Sequence, residues 1–406
     1  MKKFAIISLI LIVLSASFFG VSLYHYFDVT GPQATPDQAP TVAEKVEATE
    51  TKPQTTGVPE QWQDGGIFSK NYDKAYEYMQ SMTTEQMVGQ LILGTCPTDG
   101  TDESTASLYK LGGYFYNSDN FTGLTKDQIK SDITATQSGA STPMIMAVEE
   151  EGGKVTALSE LDAFSDYNLD TMRNTFAQGG MDAVKSSQTD IATMLSSVGI
   201  NLNIAPVCDM AEEFTQIMYS RSLGGTVQDA CDYAKNATRI SQDKGVSVAL
   251  KHFPGYGTNP DTYLPVVVDS REATTFESKD FKPFKAGIDE GAHFVLMSNI
   301  LVEKMDPNCV ASLSDYMHTI LRNELKFTGL IITDNLNNAD YSEYANGKNV
   351  YVQAVLAGND MIMVDEIDSA YNAILDAVNN GTISKEVLQK ACMRVLAYKY
   401  TAGIIK

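Results

Sequence analysis

The sequence predicts an α/β chain folded as a TIM-like (β/α)8 barrel. Short apolar, β-branched runs recur along it, each followed by a polar loop and then a helical stretch. Most of these runs are apolar throughout, which suits strands covered on both faces of a parallel sheet. Eight such units in about 340 residues match the size of a (β/α)8 barrel. A doubly wound sheet is the alternative, and the strand count and the lack of a GxGxxG turn weigh against it.

The expected strands span 91–94, 113–116, 144–148, 201–204, 246–250, 294–298, 330–333 and 360–364. Before the first, "TEQMVGQLIL" opens with a helix start signal at Thr83 or Thr84. "TMRNTFAQGGMDAVKSSQTDIATMLSSVG" precedes the fourth strand and "VQDACDYAKNATRISQDKG" the fifth. The last helix has a polar cap at Ser384 and apolar Val387, Leu388, Ala391, Val395 and Leu396 at helical spacing. Nothing marks a second folded domain within 66–406.

Ahead of the barrel, Met1-Lys2-Lys3 precedes an uncharged apolar run from Phe4 to Leu23. Such a run is long enough to cross a bilayer as a helix. Lysines at its start stay inside, which places the rest of the chain outside the cytoplasm. Tyr24 to Phe27 form an interfacial aromatic belt. Residues 1–27 therefore read as a signal anchor, with a signal peptide cleaved near Ser15-Ala16-Ser17 as the alternative. Residues 28–65 are rich in Pro, Thr, Gln and Glu and read as a disordered linker.

The formal net charge of -21 excludes nucleic acid as a partner, since phosphate binding needs clustered Lys and Arg. The five cysteines are scattered without CxxC spacing, and there are only four histidines, so neither a disulfide framework nor a metal centre is expected. No cofactor is implied. The barrel domain is expected to be monomeric and to meet the membrane only through its N-terminal helix.

On this fold the chemistry lies in the loops after the strands. Glu149-Glu150-Glu151 follows the third strand and Arg221 the fourth. Lys251 and His252 follow the fifth, with Asp261 and Tyr263 in the same loop, and Asp334 follows the seventh. Carboxylates gathered with Arg, Lys and His suit a sugar. One carboxylate attacks the anomeric carbon, a second group protonates the leaving oxygen, and the others bind hydroxyls. Walker and GxSxG motifs are absent, which excludes the corresponding phosphoryl-transfer and serine-hydrolase chemistries.

The segment "LKHFPGYG", followed by Asp261-Thr262-Tyr263, resembles the signature of the family-three glycoside hydrolases of the bacterial β-N-acetylglucosaminidase type. "LGGYFYNSDN", "AVEEEGGKV", "LNIAPVCDM", "YSRSLGG" and "GLIITDNL" resemble further family segments in order, from about Glu77 to Lys399. The resemblance implies a TIM-like barrel and a carbohydrate substrate containing N-acetylglucosamine, such as peptidoglycan fragments. It implies Asp334 as nucleophile and Glu149, Arg221, Lys251 and His252 as substrate-binding residues. Asp261 matches the aspartate of an Asp–His catalytic dyad. Tyr263 stands where that dyad has its histidine, and Tyr256 where the family has a second one. Ala157 replaces an arginine, Asn299 a histidine and Asn335 an aspartate. A phenol, with a pKa near 10 against about 6.5 for imidazole, returns a proton poorly as a general base. The expected function is retaining hydrolysis of terminal β-linked N-acetylglucosamine. The alternative is a sugar- or cell-wall-binding barrel with impaired catalysis.

Overall fold

The computed structural model describes residues 57–259 and 266–406. The expected anchor and nearly all of the linker lie outside them, as do Asp261 and Tyr263. Among the described residues no helix is long and apolar enough to cross a membrane. The described residues begin at Gly57, within the stretch whose composition reads as linker. The linker-like sequence hides two anchors, because Val58 and Trp62 are buried in the core and Trp62 donates to Glu386 at 3.2 Å.

Eight parallel strands make the barrel. They are β1 (Ile92–Thr95), β2 (Gly113–Tyr116), β3 (Ile145–Val148), β4 (Leu202–Asn203), β5 (Ser247–Phe253), β7 (Phe294–Met297), β9 (Leu330–Thr333) and β10 (Ile362–Val364). Every predicted strand is present. A small two-stranded parallel ladder, β6 (Val268–Asp269) with β8 (Leu301–Val302), sits outside the ring. β10 pairs with β1, and the ring nearly closes between β9 and β10. That seam has a single Ile332–Met361 bridge, and side chains supplement it. Thr333 Oγ1 accepts from Met363 N at 3.0 Å, and Asp360 accepts from Ile331 N at 2.8 Å. Arg322 and Arg394 pair with the same Asp360 at 2.6 and 2.8 Å, so the aspartate joins the seam to two flanking helices.

Local chemistry sets the helix ends. Thr83 caps the helix Thr84–Gln90 in a reciprocal box with Gln86, and Ser384 caps Lys385–Thr401 by accepting from Val387 N. β5 is the longest strand and carries Lys251 and His252 within it, not after it. Its peptides Lys251–His252 and Phe253–Pro254 are cis.

One core contact is electrostatically costly. Lys399, on the last helix, is fully enclosed, and its ammonium donates to Gln90 Oε1 at 2.6 Å. Burial pushes its pKa down from 10.5 to about 7. The unfolded chain holds this proton up to its ordinary pKa, whereas the folded chain releases it near 7. This residue therefore makes stability rise with pH from about 7 to 10.5, and below 7 the full cost of a buried charge remains. Lys399→Met is expected to stabilise the protein by about 2 kcal/mol at neutral pH. Urea unfolding at pH 6, 7.5 and 9 should show the variant's advantage shrinking as pH rises. An advantage independent of pH would refute the assignment.

Candidate active site

The triple glutamate after β3 splits by strand parity, because alternate side chains point to opposite faces. Glu150 turns away from the pocket. It is fully buried, and its carboxylate accepts from the backbone N–H groups of Ala157, Leu158 and Ser159 and from Ser159 Oγ. It therefore ties down its own loop. Glu149 and Glu151 face the mouth of the barrel. Arg221 grips Glu151 with two bonds, Nε to Oε2 at 3.0 Å and Nη2 to Oε1 at 2.5 Å. Lys251 Nζ lies 2.6 Å from Glu151 and 3.1 Å from Glu149, at angles that make ion pairs but not directed hydrogen bonds.

The Lys251 side chain is 0% exposed, whereas those of Glu149 and Arg221 are 27% and 25% exposed. The lysine thus acts from behind the carboxylates that line the pocket. Burial alone would raise the Glu151 carboxyl, but Lys251 and Arg221 outweigh it and hold the group at about 2.

His252 is fixed by a residue that sequence reasoning missed. Asp209, in the loop after β4, accepts from His252 Nδ1 at 2.7 Å and from His252 N at 3.2 Å. Its second oxygen accepts from Tyr256 N at 2.7 Å. On its other side, His252 Nε2 lies 3.4 Å from Arg221 Nη2. The Tyr256 ring stands edge-on to the imidazole, with centroids 5.5 Å apart. Asp209 lies inside the "LNIAPVCDM" segment, and a buried aspartate at a strand end was the available signal. Glu151 was legible too, as the partner of Glu149 in the two-residue repeat.

Asp334 leaves the end of β9 half-buried at the same mouth. Its N–H donates to Met297 O at 2.8 Å, and its Oδ1 accepts from Asn335 N at 2.7 Å. Burial pushes its carboxyl above the ordinary aspartate range; His252 works against that shift and Glu149 adds to it. The turn is held from both sides. Asn299 donates to Asn335 O at 2.9 Å, and Asn335 Nδ2 donates to Asp365 at 2.7 Å. The Tyr256 phenol stays protonated, chiefly through burial and then through the charges of Asp334 and Asp209. The loop carrying Arg221 has its own latch in Arg173, which donates to Tyr219 O and Ala211 O, both at 2.6 Å.

Asp334, Glu149, Arg221, Lys251 and His252 thus converge from four strand ends. Among the described residues no His, Cys, Asp or Glu cluster fits a metal ion. A profile of the glycosyl hydrolase family 3 N-terminal domain matches residues 65–398. The chain belongs to this family. It is a glycoside hydrolase by that membership.

A β-hexosaminidase of Nitrosomonas eutropha is 28% identical over 292 residues, covering 69% of this chain and 80% of that protein. One from Stenotrophomonas maltophilia is 28% identical over 259 residues, covering 62% and 76%. A family 3 β-N-acetylglucosaminidase structure from a Paenibacillus species superposes with a TM-score of 0.74 at 26% identity, over 80% of this chain; the chain spans 63% of that protein. A β-N-acetylhexosaminidase from Beutenbergia cavernae shares the fold, with a TM-score of 0.69 at 23% identity, over 79% of this chain and 99% of its own.

The depressed Glu151 carboxyl gives a pH test. A group lowered on folding contributes stability above its unfolded pKa of 4.5 and loses it as pH falls to about 2. Glu151→Gln is expected to cost about 3 kcal/mol at pH 7. In urea titrations the gap between variant and parent should narrow steadily below pH 4.5. A gap that persists unchanged at pH 2.5 would show that Glu151 contributes by packing alone.

Proposed function

We propose that this family 3 hydrolase removes terminal β-linked N-acetylglucosamine from cell-wall glycans with retention of configuration. The observation that carries this reading is the Asp334 carboxylate, half-buried at the barrel mouth among groups able to grip sugar hydroxyls. The names of the relatives supply the substrate class. In the first step an Asp334 oxygen bonds to the anomeric carbon as the glycosidic C–O bond breaks, and the leaving oxygen takes a proton. In the second, water displaces Asp334 and gives up a proton. Because the nucleophile must be ionised, the raised Asp334 carboxyl sets the acid limit of activity.

Two of the described carboxylates are poorly suited to supply the leaving group's proton. Glu150 is spent on the backbone, and Glu151 stays ionised between two cations. The motif assigns the proton donor to the segment bearing Asp261 and Tyr263. Tyrosine at 263 in place of the family histidine favours a second reading, a sugar-binding barrel with weakened turnover. The N-terminal apolar run supports anchoring at the outer face of the cytoplasmic membrane, where such glycans lie.

Protein lacking residues 1–56 should release 4-nitrophenol from its N-acetyl-β-D-glucosaminide, and Asp334→Asn should abolish release. Tyr263→His should raise the turnover by about 10²-fold or more, the usual worth of general acid–base catalysis. No turnover by the parent together with measurable N-acetylglucosamine binding would replace the hydrolase reading with the binding one.

A further inference from the structure

The turn that follows β5 is held from two directions. On the barrel side Asp209 takes Tyr256 N. On the outer side stands Arg271, which belongs to none of the motif segments. Its Nη2 donates to Gly255 O at 3.1 Å. Its remaining donors are taken up by two buried aspartates. Nε and Nη2 bind Asp269, and Nη1 binds both oxygens of Asp280 at 3.1 and 3.0 Å. The guanidinium also lies 4.3 Å from the Phe276 ring centroid.

Asp269 passes the constraint on, because its Oδ2 accepts from Asn259 Nδ2 at 2.7 Å, and the same amide donates to Tyr256 O at 2.8 Å. Between these points Gly257 has φ +50° and packs directly on Arg271; a Cβ there would come within 2.1 Å of the guanidinium. Gly255, Tyr256, Gly257 and Asn259 therefore rest on Arg271 directly or through Asp269.

We infer that Arg271 is a positioning residue of the sugar site, setting through Gly255, Gly257 and Asn259 where Tyr256 stands beside Asp334. The fork geometry is what the role requires. One planar cation joins two carboxylates and a backbone carbonyl in fixed directions, which an ammonium cannot reproduce. Asp269 is itself placed by β6, whose pairing with β8 fastens it outside the barrel ring. The ladder that seemed incidental to the fold is thus the abutment against which the turn is set.

The inference rests on the sugar-site reading above, and its test separates the two. Arg271→Ala should raise KM about 10-fold and lower kcat about 10- to 100-fold on the aryl glycoside, as an ångström-scale displacement does. Added guanidinium ion should restore part of both by entering the vacated site. Gly257→Ala should change KM and kcat in the same direction. Arg322→Met, which breaks the Asp360 network at the far end of the barrel, is the control. It should lower Tm and leave KM unchanged, because fewer folded molecules alter the apparent kcat alone.

Arg271→Ala with the parent's KM and kcat would overturn the inference, as would an Arg322→Met protein showing the same KM shift. Where the parent binds N-acetylglucosamine without turnover, calorimetry gives the same decision: binding about 10-fold weaker in Arg271→Ala supports the role, and equal binding defeats it. A parent that neither binds nor cleaves defeats the sugar-site reading itself, and the inference with it.

Discussion

A lysine ammonium with no exposure to water has to be matched by charge within contact distance, and Lys251 imposes that condition on the whole barrel mouth. Its partners come from β3, and the guanidinium that shares Glu151 comes from the loop after β4. None of these groups is stable in place without the others. Removing Glu151 would leave Lys251 with Glu149 alone and Arg221 with no directed carboxylate. The site is therefore assembled before any sugar arrives, because the unassembled state would strand buried charge. Preorganisation of this kind is what lets binding groups act without reorganising as the reaction proceeds.

The two ends of the barrel use the same chemistry for different ends. At the base, Asp360 is held between Arg322 and Arg394, and Arg394 also reaches Asp64 at 3.3 Å. There Arg322 and Arg394 are matched by carboxylates and backbone carbonyls, and the cluster braces the thin seam between β9 and β10. At the mouth the matching is left open. Glu149 and Arg221 keep exposed edges, Asp334 is half-buried, and Lys251 Nζ makes ion contacts without a directed hydrogen bond. The base closes the ring, and the mouth keeps groups available to a ligand.

The eight barrel strands were legible from apolar runs bounded by turn residues, since burial on both faces of a parallel strand leaves little room for other patterns. The helix starts at Thr83 and Ser384 were legible because capping is local chemistry. What sequence alone did not reveal was long-range. Val58 and Trp62 sit in a stretch of linker composition, and only the distant Glu386 and the core explain their burial. Asp209 and Arg271 act on a turn that lies dozens or tens of residues away in the chain, and nothing near Arg271 in sequence advertises the contact. Glu150 and Glu151 differ by strand parity alone, which becomes visible once the strand end is known.

The departures from the family pattern within the described site carry the marks of refitting, not of decay. Drift in an idle site leaves buried polar atoms without partners, each costing about 1–3 kcal/mol. Here Asn299 Oδ1 accepts from Ser312 at 2.6 Å while its amide holds Asn335 O. Asn335 in turn bonds Asp365 and accepts from Asn337 N at 2.9 Å. Tyr256 is anchored through both its N–H and its carbonyl, and its ring closes on His252. Among the described residues, the only fully buried side-chain polar atom of the site lacking a directed hydrogen bond is Lys251 Nζ, which two carboxylates already neutralise. A histidine at 256 would bring a group able to carry charge near Asp334, whereas the phenol brings a neutral donor that burial keeps protonated. Asp334 thus sits in surroundings less cationic than the family pattern implies, and less opposed to the raised carboxyl that burial produces. A carboxyl raised by burial is more basic, and so more nucleophilic, once ionised, which accords with the nucleophile's role proposed for Asp334.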